Sequence, residues 1–298
     1  MRLACFRVAG DLEHRVGLIG EGTVTELSGS WTDVVTRCAG KSPFTVVPLE
    51  RSFPIGECTF VPPLPNGSRG VLCVGMNYWD HDAEARGLLR TAPSDHPVFF
   101  WKLAETMTSA TANLALDPAV STQFDWEIEL GIVIGRVARF VPPERVGDYL
   151  AGYVIVNDVT ARDLQRQHVQ WFVGKNIRSS SPIGPWVTTL DEAGYPPRLG
   201  MELKVNGITK QSAQTSDLIF DIPTLVSTIT RSITLQPGDV IATGTPMGVG
   251  FARVPPEFLV PGDLIEARID GLGSQRNAVV AVDQECAAEV AADLVGQD

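Results

Sequence analysis

The chain predicts an α+β fold dominated by strands, with a small N-terminal β-rich module and linker over residues 1–69 and a larger domain over residues 70–298. Three observations carry this. A length of 298 residues suits about two domains. The 28 Gly and 21 Pro point to many turns. The apolar residues also fall in short alternating or continuous runs, which is the strand pattern.

In chain order, Leu3–Val8, Val16–Ile19 and Val24–Leu27 read as strands separated by Gly and Asp turns, followed by a short helix over Trp31–Cys38. Residues 54–69 have the composition of a linker, with Pro54, Pro62, Pro63, Pro65 and Gly67. Val71–Gly75 reads as a buried strand that hands over to a polar helix, Trp79–Leu89, with Asn77 as its cap. Phe124–Ile134 and Leu150–Asn157 are the strongest strands, and Ala161–Phe172 reads as one helix. Further strands are expected at Gly200–Asn206, Val240–Thr243 and Leu264–Ile269, with a helix over Ile222–Ser232.

The 24 Lys plus Arg against 35 Asp plus Glu leave a net charge of −11. Such a surplus opposes binding to a phosphate backbone or an anionic membrane, so neither nucleic acid nor membrane is expected as a partner. No apolar window approaches the roughly 20 residues of a membrane-spanning helix. The N-terminal residues lack the apolar stretch and cleavage site of a secretory signal, which predicts the cytoplasm. Five cysteines without CxxC spacing (Cys5, Cys38, Cys58, Cys73, Cys286) suggest reduced thiols, and four scattered histidines leave carboxylates as the main choice for holding a metal.

Carboxylates supply the first chemical signal. On a strand, Asp125, Glu127 and Glu129 share one face while Phe124, Trp126, Ile128 and Leu130 share the other. For an isolated ExE a solvated strand face is the readier reading. Here the acidic face continues into Gly131, Val133 and Gly135, which predicts that the acids are enclosed, where their repulsion calls for a cation or raised pKa values. Asp158 follows the apolar strand Val154–Asn157; it is either a helix N-cap or a third oxygen ligand. Two carboxylates from one strand and one from a neighbouring strand end would suit Mg²⁺ or Mn²⁺, with positions left for a keto acid.

Other candidates are weaker taken singly. His81 and Glu84 stand three apart on a helix, so the carboxylate could orient the imidazole as a base; an exposed surface pair is the alternative. Lys102 and Lys175 could neutralise an anionic substrate or could be ordinary solvated lysines. The Gly-rich turn Ala242–Gly250 could hold an anion with its peptide N–H groups and Thr245, but it lacks the spacing of a nucleotide-binding loop.

Taken together, these segments resemble the fumarylacetoacetate hydrolase family over about residues 70–280. The matching motifs are Gly75-Met76-Asn77-Tyr78 with His81 and Glu84, Asp125–Leu130, and Gly152–Gln165, then Pro182–Trp186, Val205-Asn206-Gly207 and Pro237–Gly250. The resemblance implies a mixed β-sandwich roll, often behind a small N-terminal module, usually a homodimer, with one Mg²⁺ or Mn²⁺ per subunit. It implies Glu127, Glu129 and Asp158 as metal ligands, and His81 with Glu84 as the water-activating dyad on a mobile lid helix. Lys175 becomes the lysine that neutralises the intermediate, and Lys102, Gln211 and Thr245 line the substrate pocket. The implied reaction is hydrolytic cleavage of a carbon–carbon bond in a 2,4-dioxo acid such as an acylpyruvate or fumarylpyruvate. An isomerase, tautomerase or β-keto acid decarboxylase on the same metal is the alternative, and a non-catalytic metal-binding relative a further one.

The chain also departs from the family pattern. After the lysine, the family commonly continues with two residues and an Asp, whereas this chain reads Lys175-Asn176-Ile177-Arg178 and then three serines. Arg178 puts a base where an acid is usual, so it is expected at the pocket edge, favouring a more anionic substrate. The usual Lys-Pro is Lys102-Leu103 here.

Overall fold

Both faces of the strand Ile128–Ile134 are buried along its whole length, and this sets the layering of the molecule. The computed structural model describes residues 1–11, 13–40, 45–89 and 95–282. Ile128, Leu130, Ile132 and Ile134 enter one core cluster, with Leu203, Val205, Ile265 and Ala267 and with Leu225 and Val226 of the helix Ile222–Thr230. Val133 faces the other way, into a second cluster with Val154, Val156 and the helix Trp31–Arg37. Each fully buried Ile or Leu contributes roughly 1.5–3 kcal/mol.

The strand lies inside a twelve-stranded sheet. Its main path runs Pro48–Pro54, Thr23–Leu27, Arg15–Ile19, Arg2–Val8, Ser181–Thr189, Leu150–Asn157, Ile128–Ile134, Val240–Ala242, Val71–Gly75 and Val98–Lys102. The N-terminal strands therefore continue the central sheet: Arg2–Val8 pairs antiparallel with Ser181–Thr189. A five-stranded sheet, ordered Ile208–Gln214, Gly200–Val205, Leu264–Ile269, Gly273–Val280 and Leu114–Ala115, closes the first core cluster. This strand-rich, helix-poor architecture matches the expected fold class.

Several expected elements are modified. Phe124–Ile134 is interrupted: Phe124–Asp125 pairs with Thr160–Ala161, and the main strand starts at Ile128. The expected helix Ala161–Phe172 is two pieces, Arg162–Gln167 and Phe172–Lys175. Within the Pro-rich stretch 54–69, Cys58–Val61 is a strand on Arg2–Val8. Asn77 is a cross-brace rather than a cap. Its Nδ2 donates to Thr243 O at 2.8 Å and Phe220 O at 3.1 Å, and its Oδ1 accepts from Phe220 N at 2.7 Å. Cys5, Cys38, Cys58 and Cys73 are free thiols, and Cys286 lies outside the described residues. Among the described residues, no helix is long and apolar enough to cross a membrane.

Candidate active site

Glu127 and Glu129 stand at the start of the central strand and Asp158 just after its neighbour, Leu150–Asn157. The pairing of Ile128 with Asn157, and Asp158 N donating to Glu127 O at 2.8 Å, bring the two strand ends together. One oxygen from each of Glu127, Glu129 and Asp158 lies within 4.8 Å of the others, and all three residues are buried. Asp158 is thus not a helix cap: the next helix starts at Arg162, behind Ala161. Asp125 leaves the trio because the strand breaks beside it. Its carboxylate instead accepts N–H groups of Gly250 and Phe251 at 2.7 and 3.0 Å and pairs with Arg162 at 2.8 Å.

Three buried cations surround the acids. Lys175 Nζ lies 2.5 Å from Glu127 Oε2 and 2.7 Å from Asp158 Oδ2. Lys102 Nζ lies 2.7 Å from Asp158 Oδ1 and donates to Val159 O at 2.9 Å. The Arg162 guanidinium bridges Asp125 and Glu127, reaching Glu127 Oε1 at 2.6 Å, and stacks over Phe251. Burial alone would push the Glu127 carboxyl up, but Arg162 and Lys175 outweigh it and hold the group well below the usual carboxylate range. Burial likewise opposes the charge on Lys175, yet Asp158 and Glu127 hold its ammonium above the ordinary lysine value.

Glu129 differs. Gly244 N–H donates to its Oε2 at 2.8 Å, but among the described residues no cation pairs with it. Burial, then the neighbouring Asp158 and Glu127, push its carboxyl well above the usual range. Four ionised carboxylates would face three cations, leaving one negative charge uncompensated in a dry site. A hard divalent cation resolves this, and an all-oxygen donor set fits Mg²⁺ or Mn²⁺. The residues present therefore fit such an ion.

The second half of the site is the helix Trp79–Leu89. His81 Nδ1 lies 3.0 Å from Glu84 Oε1, and the same carboxylate accepts Gly248 N–H at 3.1 and 3.2 Å. His81, Glu127, Glu129, Lys175 and Thr245 line one cavity together with Phe100, Trp171, Arg162 and Gln165. Gly75 lets the Trp171 ring approach the cavity: a Cβ there would sit 2.3 Å from the ring. The free volume is about 10 Å³, room for roughly one water molecule. That is too little for a keto acid with the walls as they stand.

Other expected lining residues lie elsewhere. Lys102 is fully buried beneath Asp158 rather than in the wall. Gln211 supports Thr245: its Nε2 donates to Thr245 Oγ1 at 2.8 Å, while its Oε1 accepts Ile128 N–H at 3.0 Å. Arg178 is exposed and outside the cavity lining, because Ile177 and Ser180 turn inward and it turns out. Arg162, Gln165 and Trp171 were missed. The available signal was Arg162 and Gln165, four and seven residues after Asp158, inside the motif Gly152–Gln165.

The sequence profile described as Fumarylacetoacetate (FAA) hydrolase C-terminal matches residues 70–280. The chain belongs to this family. Oxaloacetate tautomerase YisK of Bacillus subtilis (strain 168) is 40% identical over 227 residues, covering 76% of this chain and 75% of the relative. The 2,4-didehydro-3-deoxy-L-rhamnonate hydrolase of Sphingomonas sp. (strain SKA58) is 36% identical over 272 residues, 90% of this chain and 92% of the relative. Among solved structures, the fumarylacetoacetate hydrolase EaFAH from psychrophilic Exiguobacterium antarcticum superposes with a TM-score of 0.78 at 34% identity, covering 95% of this chain and all of that one. The fumarylacetoacetate hydrolase family thus contains tautomerases and hydrolases similar to this chain, and its sheet architecture is the one found here.

Proposed function

We propose that this protein is a metal-dependent hydrolase that cleaves a carbon–carbon bond in a 2,4-dioxo acid. The observation that carries the reading is that His81, backed by Glu84, faces the same cavity as Glu127 and Glu129 of the acidic trio. Glu127, Glu129 and Asp158 would hold Mg²⁺ or Mn²⁺, which when bound supplies Lewis-acid polarisation of the 2-oxo acid oxygens.

The chain's own residues supply the remaining steps. Glu84 accepts Nδ1–H of His81, which leaves Nε2 with the lone pair to take a proton from water. The resulting hydroxide attacks the C4 carbonyl. The C3–C4 bond breaks, its electron pair becomes the C2–C3 enolate, and the proton held at His81 returns to C3. The products are a carboxylic acid and a shorter 2-oxo acid. Lys175, with Nζ at the edge of the acids, offsets the negative charge that develops on the enolate.

The small cavity favours a second reading, keto–enol tautomerisation of a compact 2-oxo acid, in which His81 moves a proton between C3 and oxygen without attack by water. Assays of pyruvate release across acylpyruvates, with Mn²⁺ or EDTA, alongside oxaloacetate enol absorbance, separate the two. Metal-dependent pyruvate release supports the hydrolase. Enol decay without cleavage of any acylpyruvate supports the tautomerase. No metal-dependent turnover in either assay removes both.

A further inference from the structure

The helix that carries Lys175 has four residues, Phe172–Lys175, too few to hold their own geometry in water. The residue at its C-cap, Asn176, uses both donors and the oxygen of its carboxamide. Nδ2 donates to Phe172 O at 2.8 Å, satisfying a carbonyl at the helix end, and to Trp101 O at 3.0 Å. Oδ1 accepts Leu103 N–H at 2.7 Å. Trp101 and Leu103 flank Lys102 on the strand at the end of the twelve-stranded sheet, so the amide takes the place of a missing neighbouring strand.

One side chain therefore ties the peptide groups on either side of Lys102 to the peptide that follows Lys175. Those two lysines meet on one carboxylate, Lys102 at Asp158 Oδ1 and Lys175 at Oδ2, both at 2.7 Å. We propose that Asn176 is a positioning residue that holds Lys102 and Lys175 in register on the two oxygens of Asp158. None of these hydrogen bonds reaches the strands that position the three acids. Its loss should disturb the cations and spare the oxygen donors. The lysine roles rest on the function proposed above; the clamp itself does not.

The test is acetylation of the folded full-length protein with N-acetoxysuccinimide, read residue by residue by mass spectrometry. In the unmodified sequence Lys102 and Lys175, with side chains 0% and 3% exposed, should react far more slowly than Lys204 at 38%. Asn176→Ala should raise the Lys175 rate about tenfold, the change expected when hydrogen-bond restraint is lost. Lys204 should not change, and the Mn²⁺ Kd should stay within about threefold. Asn176→Asp has the same shape but lacks both donors; it should move Lys175 in the same direction and decides the matter if the alanine variant does not fold. On any acylpyruvate that is turned over, kcat should fall with KM unchanged. Unchanged Lys175 protection in a folded variant overturns the proposal. So does acceleration that spreads to Lys204 and weakens Mn²⁺ binding in parallel, because that is general loosening. If the unmodified protein binds no Mn²⁺, the metal reading fails while the labelling still decides the role of Asn176.

Discussion

The two halves of the candidate site are built differently. Glu127, Glu129 and Asp158 sit at the ends of strands that are paired on both sides in the middle of the large sheet. Each carboxylate is fixed by a lysine, an arginine or a peptide N–H. His81 and Glu84 ride on a helix of charged sequence, held to the glycine turn by Glu84 and Gly248 and braced at its base by Asn77. The oxygen donors of the proposed metal site stand at the ends of strands whose main chain is paired on both sides. The proposed base is placed on a helix held by a few polar contacts.

The comparison breaks most sharply at the acids. Asp158→Asn leaves Lys102 and Lys175 buried without their shared charge, and should cost about 3–5 kcal/mol in denaturant unfolding as well as abolishing Mn²⁺ uptake and turnover. Glu129→Gln should abolish metal uptake and turnover too, but leave the metal-free unfolding free energy within about 1 kcal/mol, because no cation loses a partner. Equal destabilisation by both substitutions would mean that Glu129 is ionised and paired in the metal-free protein.

The difference between these neighbouring acids was only half legible in the sequence. Alternation placed Glu127 and Glu129 on one face, because that rule depends on the strand backbone alone. It also placed Asp125 there, which failed because a strand break is a tertiary event, enforced by Arg162 and the N–H groups of Gly250 and Phe251. His81 and Glu84 were legible from helical spacing. Lys102, Gln211 and Arg178 were legible as polar residues near conspicuous motifs, but depth is set by packing, and they lie below, beside and outside the cavity respectively. The continuity of the N-terminal strands with the central sheet left no local signal, because the pairing of Arg2 with Thr188 spans most of the chain.

On the helix side, His81→Ala should lower kcat by about 10²–10⁴ while Mn²⁺ still binds, as expected on losing a general base. Loss of metal binding in that variant would join the two halves that the structure separates. The pH dependence of metal uptake sharpens the same point. With its pKa raised, metal-free Glu129 retains its proton above the usual carboxylate range, so an incoming ion must displace it. Mn²⁺ affinity should therefore weaken as pH falls, by up to about tenfold per unit while that proton is being displaced. Calorimetric titration in buffers of different ionisation enthalpy measures the proton released. Gly248→Ala should act on the helix side alone. Its φ of +101° and a Cβ only 2.1 Å from Lys210 O force the turn to shift, which should disturb the Gly248 N–H contact with Glu84. A fall in kcat of about tenfold with unchanged Mn²⁺ affinity is expected, the worth of roughly one net hydrogen bond.

The smallest effect tests whether the floor depends on the layer behind it. The helix Trp31–Arg37 covers the back of the central strands, and a reciprocal cap starts it: Ser30 Oγ accepts Asp33 N–H at 3.2 Å, while Asp33 Oδ2 accepts Ser30 N–H at 2.9 Å. Ser30→Ala should cost about 1 kcal/mol of unfolding free energy. Because Trp31, Val34 and Val35 stay buried against Val133 and Val154, the strand ends that carry the acids should not move, and Mn²⁺ affinity should match the unmodified protein. A Kd that rises with the loss of the cap would show that the N-terminal layer holds the acids in place, and the division between a rigid floor and a yielding wall would have to be redrawn to include it.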